Sequence, residues 1–185
     1  EKVPYKWIIR IFGVMAKAKH HTFQILTKRP ERMRKFMSHL FSAVPLNQEE
    51  KPLPNVWLGV SVEDQKTADE RIPLLLQTPV AVHFVSAEPL LGQIDLGKTW
   101  LGEERRESCQ GCKPTPVRGQ PDCPGHYVGG LDWIIVGGES GPGARPFDIQ
   151  WARDLRDQCK AANVPYFLKQ LGRKPYDSQG KGLHA

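Results

Sequence analysis

Five short apolar runs, most followed by a stretch with helical spacing, restrict the fold of this chain more than any other feature of its sequence. The runs cover residues 22–27, 56–62, 80–87, 132–136 and 164–168. Runs of Val, Ile, Leu, Phe and Trp without a strict polar alternation read as strands, and amphipathic helices between them make the strands parallel and covered on both faces. Trp7, Ile8, Ile11, Phe12, Met15 and Ala18 recur every three or four residues, which predicts a helix over 5–20 with Lys6, Arg10, Lys17 and Lys19 on its far side. Met33, Phe36, Met37 and Leu40 predict a second helix over 32–41, entered at Pro30. Two more helices are expected over about 67–77 and about 149–162, the latter with Leu155 and Cys159 inward.

Every one of the five runs stops at polar residues: Lys28 and Arg29, Glu63 and Asp64, Glu88, Glu139 and Ser140, Lys169 and Gln170. Ligands of α/β proteins bind at the C-terminal edge of parallel strands, so five such endings in a row point to a shared pocket. An eight-stranded barrel takes about 250 residues. Five strands in this length therefore predict a partial, TIM-like β/α barrel, with βα units over 1–97 and 131–185. Between them, 98–130 is an aperiodic, Cys-rich insertion.

Cys109, Cys112, Cys123 and His126 form two short pairs within that insertion. Three thiols and an imidazole at such spacing match a structural zinc site, whose metal would hold together a loop too small for a core of its own. A loop with free reduced thiols and a redox pair are the other readings. Cys159, alone on an apolar helical face, reads as a small core residue, and His20, His21, His39, His83 and His184 have no sequence partner.

The net charge of +6 permits an anionic partner. Seventeen glycines and sixteen prolines fall short of the roughly 25–30% that marks a low-complexity chain. No apolar run approaches the ~20 residues of a membrane-spanning helix, and residues 1–5 lack the features of a signal peptide, so a cytoplasmic protein is expected. Strands missing from a barrel would leave an exposed sheet edge near residues 56–62 and so the prospect of self-association.

The runs FQILTKRP (23–30), NVWLGVSVE (55–63), FVSAEPLL (84–91), WIIVGGESG (133–141) and FLKQ (167–170) carry a resemblance. Over about 22–172, outside the insertion, the chain resembles a bacteriophage and prophage family named after phage gene products thirty-seven and sixty-eight. Its members are similar to radical S-adenosylmethionine barrels, with an iron–sulfur cluster on a three-cysteine segment upstream of everything in this chain. The resemblance implies part of such an enzyme, unable by itself to perform radical chemistry, with S-adenosylmethionine and the cluster expected only in a longer form.

Within that part, Glu63, Glu88, Glu139 and Lys169 are the candidate catalytic residues, and near neighbours among the carboxylates would share protons at raised pKa. Lys28, Arg29, Ser140, Arg145 and Gln170 are the candidates for binding cofactor or an anionic substrate, beside a Gly-rich turn over 137–143 that brings backbone close to a ligand. Two other readings stay open: a nucleic-acid-binding or repair module with a zinc loop, and a cluster-free barrel hydrolase or isomerase.

Overall fold

A computed structural model describes residues 3–42, 52–102 and 130–179. The elements run α1 (Tyr5–Lys17), β1 (Phe23–Thr27), α2 (Pro30–Ser42), β2 (Val56–Ser61), α3 (Gln65–Leu76), β3 (Val82–Ala87), α4 (Gly97–Leu101), β4 (Trp133–Gly137), β5 (Phe147–Asp148), α5 (Ile149–Ala161), β6 (Tyr166–Gln170) and β7 (Pro175–Tyr176). All five expected strands are present, displaced by no more than two residues at either end. The short α4 and the two-residue pair β5–β7 have too little periodicity to be read from the sequence.

The chain is an α/β protein with a five-stranded parallel sheet in the order β1-β2-β3-β4-β6. Each new strand joins the same advancing edge, and right-handed crossovers that never reverse direction place their helices on one face. The core accordingly takes Phe36 and Met37 from α2, Ile72 and Leu75 from α3, and Leu155 and Cys159 from α5. From the sheet it takes Val56, Leu58 and Val60, Val85 and Ala87, and Ile134 and Val136. These positions are in register across the strands: Val60 lies beside Val85, which lies beside Ile134. Asp64 caps α3 by accepting from the Thr67 amide, while the Thr67 hydroxyl accepts from the Asp64 amide, so the helix starts two residues before the expected position.

Strand alternation sends a second set of side chains to the other face: Leu26, Trp57, Phe84, Trp133, Ile135 and Phe167. None of them belongs to the helix-side core. Trp57 meets Trp133 edge-on at 5.9 Å between ring centroids, and Phe84 lies 6.0 Å from Trp133. Gly59 makes room for the Phe84 ring, whose nearest carbon would stand 2.5 Å from a β-carbon at that position. At the two edge strands the cover gives out, and Leu26 and Phe167 are 49% and 50% exposed. Burial on both faces is therefore nearly complete at β2 and β3, partial at β4, where Trp133 and Ile135 are half-buried, and fails for β1 and β6. The sheet edges are these two strands, and β2, near which the sequence placed an edge, is internal.

The first helix also differs from expectation. Phe12 is buried and Ile8 and Met15 pack against the core, whereas Trp7 and Ile11 are exposed. Tyr5 and Phe12 both contact Phe36 of α2, each at 5.4 Å, which turns the helix so that only part of its apolar arc faces inward. Among the described residues, no helix is long and apolar enough to cross a membrane.

Candidate functional site

The C-terminal ends of β2, β3, β4 and β6 form a continuous rim because backbone hydrogen bonds join each of these strand-end loops to the next. Leu91 N donates to Glu63 O at 2.8 Å, Leu90 N to Gly137 O at 2.9 Å, Gly138 N to Gln170 O at 3.0 Å, and Arg173 N to Glu139 O at 2.9 Å. Side chains carried on this rim are held by a frame of paired backbone groups rather than by free loops.

Charges of alternating sign occupy the rim. Lys28, just beyond β1, pairs with Glu63 beyond β2. Arg71 of α3 reaches up to the same carboxylate, donating from Nη1 to Glu63 Oε2 at 3.0 Å and to the Ser61 carbonyl at 2.6 Å. Glu88, beyond β3, accepts from Ser86 Oγ at 3.1 Å and faces Lys169 Nζ of β6 at 3.4 Å. The Ser61 hydroxyl donates to the Glu88 carbonyl at 3.2 Å, which ties the β2 and β3 ends together. Glu139 takes two side-chain bonds from Arg145, at 2.9 and 3.0 Å, and a third from the Arg145 amide at 2.9 Å.

That last arrangement overturns the expectation of shared protons at Glu139. Its neighbour is a guanidinium rather than another carboxylate, and the Arg145 hydrogen bonds hold Glu139 down at about 2. The charge of Glu63 also acts on Arg145, so the Lys28–Glu63 and Glu139–Arg145 pairs belong to one electrostatic group.

The Gly-rich turn has a different use from the expected one. A β-carbon at Gly137 would stand 2.5 Å from Glu88 Oε1, and one at Gly138 would stand 2.4 Å from the Leu171 carbonyl oxygen. The close approaches are thus filled by the protein's own carboxylate and backbone. Gly141 and Gly143 have nothing within 4 Å of that position, and only there is the turn open.

Between the cations and carboxylates there is a consistent asymmetry. The side chains of Lys28, Lys169 and Arg145 are 59%, 56% and 55% exposed, while those of Glu63, Glu88 and Glu139 are 13%, 18% and 31% exposed. The carboxylates are anchored and the cations face solvent. The family described as "Protein of unknown function (DUF5131)" matches residues 1–183. The chain belongs to that family. Searches among curated proteins and solved structures found no match.

Of the residues singled out from the sequence, Lys28, Glu63, Glu88, Glu139, Arg145 and Lys169 meet on the rim. Gln170 donates to the Gly138 carbonyl at 3.1 Å and so braces the β4–β6 junction, and Arg29 and Ser140 lie exposed beside the rim. Arg71, Ser61 and Ser86 were missed. Nothing distinguishes Arg71 on a helix from a solvated charge until folding brings it under Glu63, although Ser61 and Ser86, polar within apolar strands, were a legible signal. Asp64 is a helix cap, its carboxyl lowered by the Thr67 hydrogen bonds. His83 lies at the opposite end of the sheet, buried, with Nε2 2.8 Å from the Thr78 carbonyl.

Cys109, Cys112, Cys123 and His126, with the whole central part of the insertion, lie outside the described residues. Among the described residues no group of three or more His, Cys, Asp or Glu could hold a metal ion. Their one cysteine, Cys159, is fully buried on α5, with its thiol pushed up to about 12 by burial, so they do not fit an iron–sulfur cluster.

Proposed function

We propose that this chain is an arc of a β/α barrel from a radical-S-adenosylmethionine-like enzyme, and that its strand-end rim lines the pocket for a small zwitterionic ligand, S-adenosylmethionine being bound in the longer form that carries the cluster. The observation that carries the binding reading is the asymmetry of the rim. Anchored carboxylates at Glu63, Glu88 and Glu139 can accept from a ligand ammonium or hydroxyl. Exposed Lys28, Arg145 and Lys169 can swing from their internal partners to a ligand carboxylate, Arg145 with its bidentate fork.

Three features support the barrel reading: a strand order without reversal, helices confined to one face, and bulky apolar side chains on the opposite face. No step through an iron–sulfur cluster is assigned to the described residues. In the insertion, Cys109, Cys112, Cys123 and His126 are proposed as the ligands of one structural zinc, for which elemental analysis is the direct test.

Titration of the longer, cluster-bearing form with S-adenosylmethionine by calorimetry tests the proposal. Binding that weakens about tenfold or more in Glu88→Gln and in Arg145→Gln supports it. Absence of binding overturns it. Nucleic-acid binding that falls steeply with salt would replace it with the repair-module reading, for which half-exposed Phe167 beside Lys169 offers a stacking and phosphate contact. Turnover in air of a hydrolysable or isomerisable substrate, without S-adenosylmethionine, would favour the cluster-free enzyme.

A further inference from the structure

Helix α1 presents a second, independent surface. Trp7, Ile11 and Val14 follow one another at four- and three-residue spacing and so form one line along the helix. They are 54%, 50% and 65% exposed. This line borders the one formed by Ile8, Phe12 and Met15, which packs into the core, so the apolar surface continues from the interior out along one flank. Lys6, Arg10 and Lys17 occupy the next arc round, pointing most directly away from the core, and α1 contains no acidic residue. The Arg10 guanidinium lies 6.0 Å from the Trp7 ring centroid, leaving most of the indole uncovered.

The helix is fixed in place. Asn55 donates to the carbonyls of Met15 at 3.0 Å and Ala18 at 3.3 Å, and Arg32 donates to the Val3 carbonyl while lying 5.4 Å from the Tyr5 ring centroid. Its outer line is therefore carried on a preformed helix, whose backbone needs no ordering on binding.

We propose that this surface docks an acidic amphipathic helix of a partner protein, whose apolar stripe covers Trp7, Ile11 and Val14 and whose Asp and Glu residues meet Lys6, Arg10 and Lys17. Charge complementarity decides the occupant. A second copy of α1, packed antiparallel, would bring Lys6 and Arg10 close to the other copy's Lys17 and Arg10 with no acid on either helix to offset them. A bilayer would meet the basic arc before the apolar line, because the outermost residues are the charged ones.

The test uses the whole chain and two synthetic helical peptides with identical leucine stripes, one flanked by Glu and the other by Lys. Fluorescence anisotropy should show the Glu peptide binding at least about tenfold more tightly than the Lys peptide. Trp7→Ser with Ile11→Ser should abolish that binding, and Lys6→Glu with Arg10→Glu and Lys17→Glu should reverse the preference; both sets are solvent-facing and leave the core untouched. Failure of both peptides to bind, or equal binding of the two, overturns the proposal. Light scattering that shows a dimer lost in the Trp7→Ser, Ile11→Ser variant, or binding confined to phosphatidylglycerol vesicles, overturns it in favour of those occupants.

Discussion

Replacing Gly59 by Ala tests how the sheet face opposite the helices is packed, because its one added carbon meets one ring. An added β-carbon would lie 2.5, 2.6 and 2.7 Å from three carbons of the Phe84 ring, closer than real contacts allow. The ring has little freedom to retreat: it is 2% exposed and has Trp133 at 6.0 Å. Overpacking of this kind costs about 1–3 kcal/mol. Removing the flexibility of glycine from the unfolded chain returns roughly 0.5–1 kcal/mol, so the expected net loss is about 0–2.5 kcal/mol.

Phe84→Ala alone should cost about 3–5 kcal/mol, from lost burial and the cavity left behind. In the double variant the methyl group added at position 59 no longer meets the ring and enters the space that the ring vacated. The two losses should then fall short of additivity by about 1–3 kcal/mol, the size of the relieved overlap. Urea unfolding of the four proteins, followed by far-ultraviolet circular dichroism with the slopes compared, measures the cycle. Additivity within about 0.5 kcal/mol would refute the packing argument for this face.

Gly172 should resist substitution for two reasons, since it has φ +76° and a β-carbon there would lie 2.7 Å from the Glu139 carbonyl oxygen and the Gly138 carbonyl carbon. Gly172→Ala is expected to lower stability by more than about 1–2 kcal/mol, read as a shift in the urea midpoint. At Gly137 the obstacle is the end of the Glu88 side chain rather than backbone, so Gly137→Ala should keep the fold while displacing that carboxylate from its anchored position and weakening ligand binding at the rim. Calorimetry and urea unfolding of the same sample separate those two effects.

The depressed Glu139 makes a contribution to stability that is fully present above its unfolded pKa of about 4.5 and is lost as pH falls towards about 2. Arg145→Gln should return the Glu139 titration towards the ordinary range, as side-chain carbonyl carbon shifts against pH would show; an unmoved titration would remove Arg145 as the cause. The Cys159 thiol, pushed up to about 12 and fully buried, should stay unlabelled by thiol reagents at pH 8 until urea unfolds the chain. Peptide mapping of the labelled protein identifies that cysteine unambiguously.

The class of fold and the members of the rim were both legible in the sequence. Apolar runs interrupted by helical spacing leave parallel strands as the economical arrangement, and polar residues at the run ends must then line one edge, which is why Lys28, Glu63, Glu88, Glu139 and Lys169 could be named together. What could not be read was partnership. Strand order and register bring Lys28 to Glu63 and Lys169 to Glu88, while the geometry of single turns, which period and composition do not fix, sets Arg145 on Glu139, which sits near 2, and raises Arg71 from α3 to Glu63.

The same limit explains α1. Its period showed a helix with an apolar arc, yet an arc records only the capacity to be buried. How much of it is buried depends on the contact of Tyr5 and Phe12 with Phe36, a residue of another helix. Local sequence determined the elements, because period and capping act over a few residues. The tertiary structure alone decided which apolar faces were covered and which charges met across the rim, as Lys28 meets Glu63 and Lys169 meets Glu88, because those depend on atoms brought together from distant parts of the chain.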